Sequence, residues 1–204
     1  MNCYTLKKVS GTPNWAAVPV LSIDVPCNGE KDIDIQATAQ LCWDETGIYV
    51  HLQAKEKDIR SEYEGFLCEV CEDSCLEFFI RPTEALSYFN FEFNPNCALW
   101  LGYGGGEAGL VRLVIHKQQE MFRHKANRTE DGWEIFYHIP FTFIRHFLPE
   151  FDPKEGTQFY GNCYKCGDKT VREHYFAWNP INPEELNFHC PKFFGRMILG
   201  GTEA

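Results

Sequence analysis

Apolar and polar residues alternate with a period of two along most of this chain, and that pattern admits few folds. Ile35, Ala37, Ala39, Leu41 and Trp43 interleave with Gln36, Thr38 and Gln40, and Ile48, Val50, Leu52 and Ala54 with Tyr49, His51 and Gln53. Successive side chains of a strand point to opposite faces, so each run buries one face and wets the other. Between the runs, Asp44-Glu45-Thr46-Gly47 is a turn sequence, and the pair reads as a β-hairpin. The same alternation predicts strands over 74–81, 86–94, 97–103, 110–116, 133–139, 157–164, 173–178 and 194–199. Helical spacing is confined to 141–151, where Phe143, Ile144, Phe147 and Leu148 would face inward after Pro140. Many strands, regular turns and at most one or two short helices predict an all-β fold, a sandwich of two antiparallel sheets. No linker, repeat or low-complexity segment divides residues 1–204, which predicts a single domain.

Charge narrows the partners. The formal net charge is −10 and no run of Lys and Arg occurs, which argues against a nucleic-acid surface and against attachment to an anionic membrane. No apolar stretch is long enough to span a bilayer. Aromatic residues make up 15% of the chain, an excess that suits either a thick core between sheets or a surface on which flat ligands stack. The ten cysteines are even in number, as a secreted disulfide framework requires, yet a chain of this length does not need such staples. The opening Met1-Asn-Cys-Tyr-Thr-Leu-Lys-Lys lacks the features of a secretory leader. The expectation is a cytoplasmic protein with reduced thiols; a chain already trimmed of a leader would read the same. The oligomeric state is left open.

The residues best placed for chemistry lie on the polar parity of two middle strands. Asn90, Glu92 and Asn94 emerge on one face, between Phe89, Phe91 and Phe93 on the other, and Glu77 holds the corresponding place on the preceding strand. If the two strands are neighbours, two carboxylates and two amides share one patch, with Arg112, Asn162 and Trp178 contributed by later strands. Such groups present acceptors and donors at fixed positions, as a hydroxyl-rich ring requires, and an indole offers an apolar platform. The same residues would equally form the wetted outer face of a sandwich. Paired carboxylates also admit glycoside hydrolysis, with Glu77 and Glu92 as the reacting pair.

Cys163-x-x-Cys166, followed by His174, His189 and Cys190, and the earlier Cys68-x-x-Cys71 before Cys75 offer zinc-ligand types. The two pairs stand far apart in sequence, whereas zinc ribbons keep theirs close. Buried small thiols are the competing reading, and no metal set is assigned. The run Gly102-Tyr-Gly104-Gly105-Gly106 lacks the Lys and Ser/Thr of a phosphate loop and is read as a flexible loop.

On these residues a resemblance rests. Asp73-Ser74-Cys75-Leu76-Glu77-Phe78-Phe79-Ile80 resembles the central strand signature of family 9 carbohydrate-binding modules. Leu41-Cys42-Trp43-Asp44 with Gly47-Ile48-Tyr49-Val50 is similar to the family's early hairpin, Gly132-Trp133-Glu134 with Ile139-Pro140-Phe141 to a later strand, and Phe193-Phe194-Gly195-Arg196-Met197-Ile198-Leu199 to its closing strand. A bacterial family 9-like branch is closer still, sharing Tyr88-Phe89-Asn90-Phe91-Glu92-Phe93-Asn94, Asn162-Cys163-Tyr164-Lys165-Cys166-Gly167-Asp168 and His174-Tyr175-Phe176-Ala177-Trp178. The likeness extends from about Gln36 to Leu199.

The resemblance implies a saccharide ligand, no catalytic machinery and no required cofactor, with calcium bound in some members. By position, Trp178 matches the second of two tryptophans that clamp the sugar, and Glu77 a binding carboxylate. Where the first tryptophan belongs, just before Asp73, this chain has Cys68-Glu69-Val70-Cys71-Glu72, leaving Phe66 or a tyrosine from another loop to stand in. Glu92 stands where the family places an arginine. The expected function is non-catalytic saccharide binding, stacked on Trp178 and hydrogen-bonded by Glu77, Glu92, Asn90, Asn94, Asn162, His174 and Arg112. The alternatives are a glycoside hydrolase using Glu77 and Glu92, or a sugar-independent interaction or sensor domain on the same sandwich.

Overall fold

The computed structural model describes residues 1–29, 33–105, 109–182 and 184–202. Its strands, numbered along the chain, form two layers. One layer holds β10 (Lys125–Arg128), β11 (Gly132–Pro140), β5 (Gly47–Lys55) and β4 (Gln36–Asp44) in that order, with β2 (Leu21–Ile23) on the other edge of β4. The second layer runs β14 (Gly195–Leu199), β12 (Gln158–Cys166), β6 (Cys75–Arg81), β7 (Tyr88–Phe93), β8 (Leu99–Gly104) and β9 (Val111–Arg112). Beyond β14, the far end of β12 pairs with β13 (Tyr175–Ala177), which continues to β3 (Val25–Pro26). The strand β1 (Cys3–Lys8) belongs to both layers: Cys3–Leu6 pair with β14 and Lys7–Lys8 with β4. Both ladders of β1 are parallel and the other described pairs antiparallel, so the all-β sandwich holds with that one departure from two purely antiparallel sheets.

Local sequence explains the hairpin that starts the first layer. Asp44 accepts the backbone N–H of Thr46 at 2.7 Å and of Gly47 at 3.2 Å, closing the two-residue turn between β4 and β5. The full register from Gln36–Lys55 to Asp44–Gly47 then puts Ala39, Leu41, Val50 and Leu52 on the inner face. Against them pack Phe78, Phe89, Phe91 and Phe93 from the second layer. Two short helices close the ends of this core: α1 (Gln118–Phe122) inserts Phe122, and α2 (Phe141–Phe147), entered directly after Pro140, inserts Phe143 and Ile144. Among the described residues no helix is long and apolar enough to cross a membrane.

Two expectations are corrected here. Of the strand predicted over 110–116 only Val111–Arg112 form the ladder with β8, followed by one more bond from the Leu113 N–H to the Leu101 carbonyl at 2.7 Å. Gly102 and Gly104 are strand residues of β8, not loop, and Gly106 lies outside the described residues. A Cβ on Gly104 would collide with the carbonyl of Gly109, so the glycine serves close packing of the chain on itself.

One polar cluster lies between the layers. Lys165 has the inward parity of β12 and no exposed surface; its ammonium donates to the Cys166 carbonyl at 2.9 Å and to His174 Nε2 at 2.7 Å, and pairs with Glu56 at 3.2 Å. Glu56 also accepts the Trp133 indole N–H at 2.8 Å and the Ser74 hydroxyl at 3.0 Å. His174, accepting at Nε2, carries its proton on Nδ1 and donates it to the Arg172 carbonyl at 2.8 Å. Burial, and then the Lys165 charge, hold its pKa down. The network is saturated, which is what permits a buried lysine.

A second buried imidazole gives a pH prediction. His124 sits against Phe93 with 5% of its surface exposed, and burial pushes its pKa down to about 4. Depressed below the unfolded value, this histidine adds stability above about pH 6.5 that is lost as pH falls towards 4, where only the unfolded chain takes up the proton. Between pH 7 and pH 4.5, wild type should therefore lose about 2.5 kcal/mol relative to His124→Phe, read from urea midpoints of both proteins. The double difference cancels every other titrating group; equal pH profiles would refute it.

Candidate functional site

The strand order places the site. β6 and β7 set Glu77 opposite Glu92, β7 and β8 set Glu92 opposite Trp100, and β12 sets Tyr164 opposite Glu77 and Cys166 opposite Cys75. These side chains share the outer face of the second layer. Part of that face is covered. Phe188 stacks on Tyr164 at 4.0 Å, and His189 and Phe194 pack on Phe79, forming a small second core. Beside this cover lies an open hollow of about 410 Å³. Its rings are Trp100, Tyr175 and Phe188, and its carboxylates are Glu69, Glu77, Glu92, Asp168 and Glu185.

The two central carboxyls are buried and neighbouring, and they respond as such. Glu77 Oε1 accepts the Cys166 S–H at 3.0 Å, while Oε2 has no hydrogen-bond partner among the described residues. Burial pushes the Glu77 pKa up to about 7, partly offset by that thiol. Glu92 Oε1 accepts the Asn90 amide at 2.7 Å, and burial together with the neighbouring Glu77 holds its carboxyl well above the usual range. The two carboxyls are thus coupled, and burial and mutual repulsion raise both above the ordinary carboxylate range. Trp100 lies over Gly102, where a Cβ would collide with both the indole and Asn90. The Arg112 guanidinium sits 4.9 Å from the Trp100 ring, tied to Glu69 at 3.1 Å and to the Cys68 carbonyl at 2.6 Å.

Of the residues expected from sequence, the fold brings Glu77 and Glu92 to the hollow, Asn90 behind Glu92, and Arg112 beside Trp100. It takes the others elsewhere. Trp178 is 8% exposed and belongs to the core between the layers, its ring packed on Gly195. Tyr175 and Ala177 face outward with Tyr164, so the next residue turns inward; stacking on Trp178 at this hollow is corrected accordingly. His174 lies in the Lys165 network and borders a different recess with Glu56 and Arg172. Asn162 spends its side chain on the backbone of Asn179, at 2.8 and 2.9 Å, and on its neighbour Cys163. Asn94 bonds the Tyr63 carbonyl at 2.8 Å, Asp73 at 2.9 Å and the Ala98 N–H at 2.9 Å, closing the turn between β7 and β8. Phe66 is half exposed and lines a separate hollow.

The rings missed from sequence had unequal signals. Trp100 alternates with Gly102 and Gly104 against Leu99, Leu101 and Tyr103, so its outward parity was readable. Glu185 and Phe188 come from an irregular segment after β13 that no periodicity could place.

Layered strands, a concave outer face and a hollow walled by rings and carboxylates define a β-sandwich module with a ligand-sized recess on one sheet. The chain belongs to carbohydrate-binding family 9, whose family model matches residues 35–199. A search of curated proteins gives no match. Among solved structures, a candidate carbohydrate-binding protein from Bacteroides uniformis is similar with a TM-score of 0.82 and 26% identity, over 97% of this chain and 98% of that one. A family 9 module from Caldicellulosiruptor kristjanssonii, solved with glucose, matches at TM-score 0.69 and 13% identity over 99% of this chain and 97% of its own. The same kind of module solved with cellotriose matches at 0.67 and 12%, over 99% and 95%. At those identities the two modules speak for the fold alone.

Proposed function

We propose that the chain is a non-catalytic saccharide-binding module and that the hollow is its site, with a sugar ring against Trp100 and hydroxyls held by Glu77 and Glu92. One observation carries the reading: an indole and a buried carboxylate oxygen with no partner among the described residues share a single open recess. Family membership supports it, as do the glucose and cellotriose bound by the structurally similar modules. The chemistry is complementary. Glu77 Oε2 offers an acceptor and the Glu92 carboxyl a second polar group, and a sugar hydroxyl can answer both. The ring face meets the sugar's C–H groups, a contact of about 1 kcal/mol. The acidic lining of the recess, with Glu69, Asp168 and Glu185 around the central pair, favours neutral sugars over anionic ones.

Isothermal titration with glucose and cello-oligosaccharides tests this. Affinity for wild type should fall in the micromolar to millimolar range, about −8 to −4 kcal/mol. Trp100→Ala should weaken it about tenfold, or ~1.4 kcal/mol, while Phe66→Ala binds as wild type. Undiminished binding by Trp100→Ala would place the sugar elsewhere.

A second reading follows from the same pair. Residues directly opposite on antiparallel strands hold their Cβ atoms about 5 Å apart, near the carboxyl separation of about 5–5.5 Å used by retaining glycosidases. Release of reducing sugar from oligosaccharides, abolished in Glu92→Gln, would establish hydrolysis in place of simple binding.

A further inference from the structure

Glu77 and Cys166 line the hollow, and the buried Cys75 lies behind them. Cys75 and Cys166 face each other across β6 and β12, and their Sγ atoms and a Glu77 carboxylate oxygen all lie within 4.8 Å of one another. All three side chains are buried, and both cysteines are free thiols. Glu77 is 2% exposed, lines the hollow, and among the described residues finds no hydrogen-bond partner for Oε2. A buried acceptor left so is unfavourable, and a cation beside it would satisfy the vacant lone pairs. Two sulfurs with one oxygen are too few and too soft for calcium, which takes six to eight oxygens, but they suit zinc.

We propose that Cys75, Cys166 and Glu77 form a three-ligand site for a zinc-type divalent cation, with its fourth position open to the hollow. Binding replaces the two S–H bonds with sulfur–metal bonds, and both protons leave to solvent, so affinity falls in acid. The site draws one cysteine from the second C-x-x-C pair and one from a strand. Cys163 is on the opposite face of β12, in the core between the layers, and Cys71 stands beside Asp168 at the rim. A ribbon-type closure of the two pairs is therefore not what the fold builds. The proposal rests on these three side chains and not on the saccharide reading; both call on Glu77 Oε2, so a bound cation takes the acceptor otherwise offered to a hydroxyl.

The test is titration of the reduced, full-length chain with Cd²⁺, whose thiolate complexes absorb in the ultraviolet, followed by displacement with Zn²⁺. One equivalent should bind, zinc should remove the absorption, and zinc should raise the thermal midpoint. Cys166→Ser and the isosteric Glu77→Gln should each weaken binding at least about tenfold, while Cys68→Ser binds as wild type. Circular dichroism of each variant separates a lost ligand from a lost fold. Absence of binding to wild type, or an absorption that survives both Cys166→Ser and Glu77→Gln in folded protein, overturns the proposal.

Discussion

Lys165→Met should lower the free energy of unfolding by about 3–5 kcal/mol, one of the largest single-residue effects available in this chain. The lysine is fully buried between the layers, and its removal leaves Glu56 buried with its charge unanswered. It also removes the donor that His174 Nε2 accepts. Glu56→Gln alone should be similarly harmful, since it strands the ammonium and weakens the acceptor for the Trp133 indole and the Ser74 hydroxyl. The double variant should cost less than the sum of the singles, because neither charge then remains unpaired. Urea denaturation of the four proteins measures the cycle. Additive losses, or a Lys165→Met loss under about 1 kcal/mol, would show that water reaches the site and that the pair is not desolvated.

Asp73→Ala is expected to cost about 3 kcal/mol and to loosen one wall of the hollow. Asp73 has no exposed surface, and its two oxygens accept the backbone N–H of Glu62 at 3.0 Å, that of Tyr63 at 3.0 Å and the Asn94 amide at 2.9 Å. The Arg60 guanidinium lies 3.3 Å away. These bonds fasten the segment between β5 and β6 to the strands, and that segment carries Glu69 and Cys71 to the hollow. Alanine leaves several buried donors without an acceptor, which costs more than the bonds themselves contribute. Limited proteolysis should then cut within 60–72, and saccharide affinity should drop in protein that is still folded. A stable variant with an uncut segment would mean that another contact holds the wall. The same geometry explains the Asp73-Ser74 signature: Ser74 accepts the Arg60 N–H at 3.1 Å and donates to Glu56, so both residues are anchors and neither lines the hollow.

Much of the fold was legible because alternation carries its own geometry. Leu41 and Val50 must face the way their neighbours two places off do, so β4, β5, β6 and β7 followed from pattern alone. The parity of Glu77 and of Glu92 within their own strands was legible for the same reason, since each sits among large apolar residues of opposite parity; that the two strands pair and set them opposite each other was not. The strand β1 is not legible although Tyr4 and Leu6 alternate with polar neighbours, because a short run with lysines at its end carries a weak signal. Asn90, Asn94 and Asn162 have the parity of a ligand patch, yet parity says nothing of the loops that cover a face.

What the sequence by itself determined is which side chains of one strand lie together: a period of two is a local property of extended backbone. What only the tertiary structure decided is which of the two faces looks outward, and what lies over it. For the segment ending in Trp178, either parity is chemically acceptable, with His174, Phe176 and Trp178 on one side and Tyr175 and Ala177 on the other. The register with β12, Ala177 against Tyr164, turned the indole into the core and left Trp100 to face the hollow. A shift of one residue in that pairing would have reversed the choice, and nothing local to the segment selects between the two.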